Sequence, residues 1–129
     1  MAAALLLATL AKSEKLAQSA IALTLIWLVS IAAYFSRVGE DAVLIILLAL
    51  HAIAAVFHLR TMTTSVVQLP LFFTHSLLSI WYFFFAIVKI DIEAAWGWLM
   101  IAPNLVFDLA IAYVCSAAFY RWRKLSKRL

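Results

Sequence analysis

Points of forced turning are scarce in this chain. Two glycines and two prolines are spread over 129 residues, so apolar runs meet few built-in breaks. A single cysteine, Cys115, excludes an intramolecular disulfide and any CxxC metal or redox motif. It sits inside an apolar run, where cysteine behaves as a small hydrophobe. Charge is sparse as well: 12% of residues are Asp, Glu, Lys or Arg, against about 25% in a soluble domain. The sequence also lacks a Gly-rich phosphate loop, a serine-triad signature, a zinc-ligand spacing and an internal repeat. With no soluble domain to house a reaction, a stand-alone enzyme is not expected.

What is present is apolar. Hydrophobic residues make up 68% of the chain, where a soluble domain carries about 45–50%. A soluble fold this small exposes too much of its surface to hide such a composition; lipid removes the difficulty. The runs are long and show no alternation of period two, which argues for helices and against a transmembrane barrel. About 20 residues cross the bilayer core. Spans are expected at about 17–36, 42–59, 65–88 and 94–120, divided by the turns Arg37–Asp41, Arg60–Thr64 and Lys89–Glu93 and followed by a basic tail, 121–129. The fold class is therefore all-α: an integral membrane, antiparallel, up-and-down bundle of four transmembrane helices in one domain.

Charge placement orients the bundle. With both termini inside, the inner side holds Lys12, Lys15 and Arg60 together with Arg121, Arg123, Lys124, Lys127 and Arg128, while Arg37 and Lys89 alone are outside. Such asymmetry of basic residues sets topology and places the N- and C-termini on the cytoplasmic or matrix side of a bacterial, archaeal or organellar inner membrane. It also accounts for the net charge of +4: the tail is a headgroup anchor, and nucleic acid is not a partner. Aromatic residues fall where interfacial belts lie: Tyr34 and Phe35, the run Trp81–Phe85, Trp96 and Trp98, and Tyr120 and Trp122. Lipid contact is the simplest role for Trp81–Phe85.

The apolar segment Met1–Ala11 precedes Lys12-Ser13-Glu14-Lys15. It lacks a basic start and a small-residue cleavage site, so it resembles a signal peptide only loosely. At 1.5 Å per residue it reaches about 15 Å, too short to span. Residues 1–15 are expected to form a short interfacial helix or a partner-binding arm.

Polar residues within the spans are the candidate functional groups, because each costs free energy in the bilayer. In an antiparallel hairpin, residues at equal depth have a constant index sum. Those of His51 and His75 sum to 126, as do those of His58 and Gln68. His51 and His58 are seven apart on one face of their helix, as are Gln68 and His75. The hairpin thus carries two polar rungs, the second being His58 and Gln68. Asp108 lies 13 residues before Arg121, about 19 Å from the inner boundary, in the layer of His51 and His75. Asn104 is one turn above it, and Pro103 breaks a backbone bond nearby. Trp27 and Ser30 reach a similar depth.

Several chemistries suit these residues. His51 and His75 as axial ligands would hold one haem b between adjacent helices, with Ala49, Ala52, Ala54 and Ala55 leaving room for the ring. Asp108, Asn104, His51 and His75 would make a proton or ion path, as in a small oligomeric transporter. His51, His75 and Asp108 match a two-histidine, one-carboxylate metal triad. The plainest account is that these groups bond one another or a neighbouring subunit and fix packing. The leading expectation is an accessory or structural subunit of a larger membrane complex, with the bilayer, other membrane subunits or further copies of itself as partners.

Overall fold

The computed structural model describes residues 2–36, 39–62, 67–88 and 92–127; within them it leaves aside the side chains of Glu40 and of residues 92–100. The turn residues Arg37, Val38, Thr63, Thr64, Lys89 and Asp91, the side chains of Glu93, Trp96 and Trp98, and Arg128 therefore lie outside the described residues. Five helices follow in order: α1 Ala2–Leu10, α2 Glu14–Phe35, α3 Glu40–Met62, α4 Gln68–Val88 and α5 Ile92–Ser126. Four of them contain stretches long and apolar enough to cross a membrane: Glu14–Phe35, Asp41–Met62, Gln68–Val88 and Ile101–Ser126. The shortest has 21 residues, about 32 Å of helix, against a hydrocarbon core of about 30 Å.

Local chemistry accounts for the helix boundaries. Lys12 adopts the left-handed region (φ 47°) and reverses the chain after α1. Ser13 then caps α2, its side chain accepting from the Leu16 amide, as serine does at helix starts. The Gly39 carbonyl accepts from the Ala42 and Val43 amides and opens α3. Pro70 falls in the first turn of α4, where a missing N–H leaves nothing unpaired. Pro103 lies well inside α5, which nevertheless runs unbroken from Ile92 to Ser126. Arg123 and Lys124 close its last turn, where cations meet the negative end of the helix dipole.

The helices α3 and α4 form the most extensive pairing, α2 packs on α3, and α1 packs on both α5 and α2. Two apolar clusters result. One joins α1, α2 and α5 through Ala4, Ala8, Leu23, Val114 and Ala118. The other joins α3 and α4 through Val43, Leu44, Leu47, Leu78, Tyr82 and Phe85. Outside them the surface is strongly apolar: Ile53, Leu77, Ile80, Ile101 and Leu109 are each more than 60% exposed. Burying those side chains would gain about 1.5–3 kcal/mol each, a gain that a bilayer supplies.

The N-terminal helix is more integrated than an arm held out for a partner. Ala4, Ala8 and Ala11 are wholly buried, and the Arg121 side chain donates from Nε to the Ala11 carbonyl at 3.1 Å. That bond satisfies a carbonyl left over at the end of α1. Only the opposite face of α1, with Leu6 and Leu10, is exposed.

Candidate functional site

The two level pairs of the α3–α4 hairpin meet. The Nδ1 atoms of His51 and His75 are 2.9 Å apart, and His58 Nδ1 lies 2.5 Å from Gln68 Oε1. An amide oxygen only accepts, so His58 carries its hydrogen on Nδ1 and presents a bare lone pair at Nε2. Gln68 in turn donates from Nε2 to the Ser19 hydroxyl at 2.9 Å and to the Lys15 carbonyl at 3.3 Å. Ser19 donates to the same carbonyl. One amide thus ties α2, α3 and α4 together.

The rungs are also joined along the hairpin. The rings of His58 and His75 stack with centroids 5.2 Å apart and planes 1° from parallel. His51 stacks on His75 at 5.2 Å and on Tyr82 at 5.5 Å, while Phe107 of α5 closes the edge of His51. The result is a buried file: Tyr82, His51, His75, His58, Gln68 and Ser19, ending at the Lys15 carbonyl. All three histidines are at most 3% exposed. Nε2 of His58 and Nε2 of His75 have no hydrogen-bond partner, an unusual state for a buried polar atom.

The remaining members lie elsewhere. Phe107 reaches His51, so this part of α5 does share the histidines' depth. Asp108, the next residue, is turned about 100° around the helix. It is exposed and lines an open cleft between α2 and α5 with Asn104, Trp27, Ser30 and Ile31. Asp108 makes no hydrogen bond or ion pair with another described residue. Beside this cleft, and sharing Trp27, Ser30 and Asn104 with it, a cavity of about 70 Å³ reaches in to His51 and Tyr82.

These positions bear on each chemistry. An iron between His51 and His75 would need two metal–imidazole bonds of about 2 Å, and nitrogens already in contact at 2.9 Å leave no gap for it. The flanking space is filled by Tyr82 and His58, and Ala54 and Ala55 are packed in. A haem with these two axial ligands does not fit this arrangement. Nor does the structure bring Asp108 to the histidines as a third metal ligand; among the described residues no group of three or more His, Cys, Asp or Glu could hold a metal ion.

Three features of the site are not evident from composition or spacing. The Trp81–Phe85 run divides: Phe83 and Phe84 are outward, but Tyr82 and Phe85 are buried, and Tyr82 caps the imidazole stack. Ser19 supplies the third helix. The stacking of His58 on His75 joins two rungs that the index sum treats separately; seven-residue spacing on both helices is the signal that could have found it. No protein-family profile matches the chain, and no curated protein and no solved structure is detectably similar to it.

Proposed function

We propose that this chain is a small integral membrane protein of four antiparallel spans, with both termini on the cytoplasmic or matrix side of a bacterial, archaeal or organellar inner membrane, and that it works as an accessory subunit of a larger membrane complex. The carrying observation is Asp108. It stands on the outer face of α5 between the exposed Leu105 and Leu109, in a cleft open to the surroundings. A carboxylate at that depth costs about 2.5–3.5 kcal/mol in a bilayer, and no cation of the chain answers it among the described residues. The partner that fits is a transmembrane helix bringing a basic or hydrogen-bond-donating side chain to Asp108 and Asn104, its apolar flanks covering Leu105 and Leu109. Basic residues concentrated at one end, around Lys12, Lys15, Arg60 and Arg121, support the orientation through the positive-inside rule.

A photo-crosslinking side chain at Leu109, expressed in the native membrane, tests this. The expected product is one discrete adduct with a different membrane protein that carries Lys, Arg or His within a span, and its yield drops in Asp108→Leu. Adducts between copies of this chain alone, or none beyond lipid, would overturn it.

A further inference from the structure

We propose that the imidazole file is a proton relay, carrying protons between the cavity at His51 and the basic end of the molecule through His51, His75 and His58. This goes beyond the subunit assignment and rests only on the four helices crossing the bilayer.

Three observations converge. The first is continuity. His51 and His75 share a hydrogen bond at 2.9 Å, and His75 and His58 lie face to face with ring centroids 5.2 Å apart, so that one ring has to turn out of the stack to bring a nitrogen to the other. The second is the unpartnered pair, His75 Nε2 and His58 Nε2. A hydrogen bond between helices in a membrane stabilises by about 0.6 kcal/mol on average, whereas an unmet buried polar atom costs about 1–3 kcal/mol. Packing alone therefore favours phenylalanine or leucine at these sites. Imidazole is what a relay needs, because it takes a proton at one nitrogen and gives one up at the other. The third is access. The cavity beside His51 has about 70 Å³, more than the 10–15 Å³ that one water needs, and Ser30, Tyr34, Tyr82 and Asn104 line it with polar groups. At the other end Gln68 and Ser19 lead to the Lys15 carbonyl in the first turn of α2.

The step balances without redox chemistry. Water in the cavity gives a proton to His51. That ring passes the proton of its other nitrogen to His75, His75 passes one to Nε2 of His58, and His58 gives up its Nδ1 proton once Gln68 turns aside and admits water from the basic end. Each ring then flips back to its starting tautomer. One proton enters, one leaves and no electrons move. Gln68 is a positioning residue: by accepting from His58 Nδ1 it fixes that tautomer and holds the last proton until the amide lets go. Among the described residues, the titratable groups beside the file other than the histidines are Tyr82 of α4, which stacks on His51, and Tyr34 of α2, which lines the cavity at His51; α2 also presents Ser19, and α5 presents Phe107.

The experiment reconstitutes the full chain in phospholipid vesicles holding a pH-sensitive dye and imposes a potential with potassium and valinomycin. Proton influx above that of protein-free vesicles is expected. His75→Phe keeps a flat ring in the stack and should return influx to the protein-free level. Ile53→Ala, on the outward face of α3, should conduct like the parent chain. Wild-type protein that floats with the vesicles and gives no influx overturns the relay, as does undiminished influx in His75→Phe. Failure to float would instead contradict membrane insertion. Should His75→Phe not fold, nitrogen NMR of histidine-labelled wild-type chain in bilayers decides. Exchange between tautomers at all three histidines is expected, and three locked tautomers overturn the relay.

Discussion

Gln68 accepts from His58 and donates to Ser19 and to the Lys15 carbonyl, so three helices lose a contact if it is replaced. Gln68→Leu leaves the His58 Nδ1–H buried without an acceptor. Unmet buried donors cost about 1–3 kcal/mol, while bonds between membrane helices average well below that. A loss of about 1–2 kcal/mol is expected, read as an earlier transition when the protein is titrated with sodium dodecyl sulfate in mixed micelles; an unchanged transition would mean that the amide is not structurally engaged. The contact between His58 and Gln68 is legible in the sequence, because a short hairpin gives level residues a constant index sum. The contribution of Ser19 is not. The hydroxyls of Thr24 and Ser30 on the same helix bond their own carbonyls four residues back, as helical Ser and Thr often do. A hydroxyl on α2 therefore does not mark a packed face.

At the scale of elements, α1 and α5 make the least expected pairing. Small side chains allow it: Ala4, Ala8 and Ala11 lie on one face of α1, and Ala110, Val114 and Ala118 share their cluster. Small residues let membrane helices approach closely. Ala8→Leu should overpack this contact, at a cost of about 1–3 kcal/mol, and release α1 while sparing the α3–α4 hairpin. Hydrogen exchange in detergent would show fast exchange across residues 2–10 and unchanged protection across 44–58; uniform protection throughout would refute the pairing. The spacing of Ala4, Ala8 and Ala11 is visible in the sequence, but neighbouring Ala2 and Ala3 blur it, and α5 is apolar on every side. A helix apolar all round gives no hint of which face is buried. For the same reason the depth of Asp108 could be read from its distance to Arg121, whereas its facing could not; only the contact of Phe107 with His51 settles that.

For the whole molecule, charge asymmetry sets a testable orientation. With Cys115→Ser removing the native thiol, a cysteine introduced as Gly39→Cys or as Ser126→Cys can be labelled by a membrane-impermeant maleimide. Nothing lies within 4 Å of a side chain added at Gly39, so that probe is sterically harmless. In sealed right-side-out vesicles Gly39→Cys should label and Ser126→Cys should not; the opposite pattern reverses the orientation, and labelling at both denies the odd number of crossings expected between the two positions. Length and hydrophobicity make the spans themselves legible, with α2 to α5 falling within a few residues of the four expected runs apart from the C-terminal end of α5, which runs on to Ser126.

The bond from Arg121 to the Ala11 carbonyl joins positions 110 residues apart. A ribosome adds about 5–20 residues per second, so α1 emerges roughly 5–20 s before the surface that receives it has been made. Until then its alanine face has only α2 to lie on, and the rest must be sheltered by lipid or by the insertion machinery. Docking of α1 is consequently a late event in biogenesis, one that only a chain translated through to Arg121 can complete.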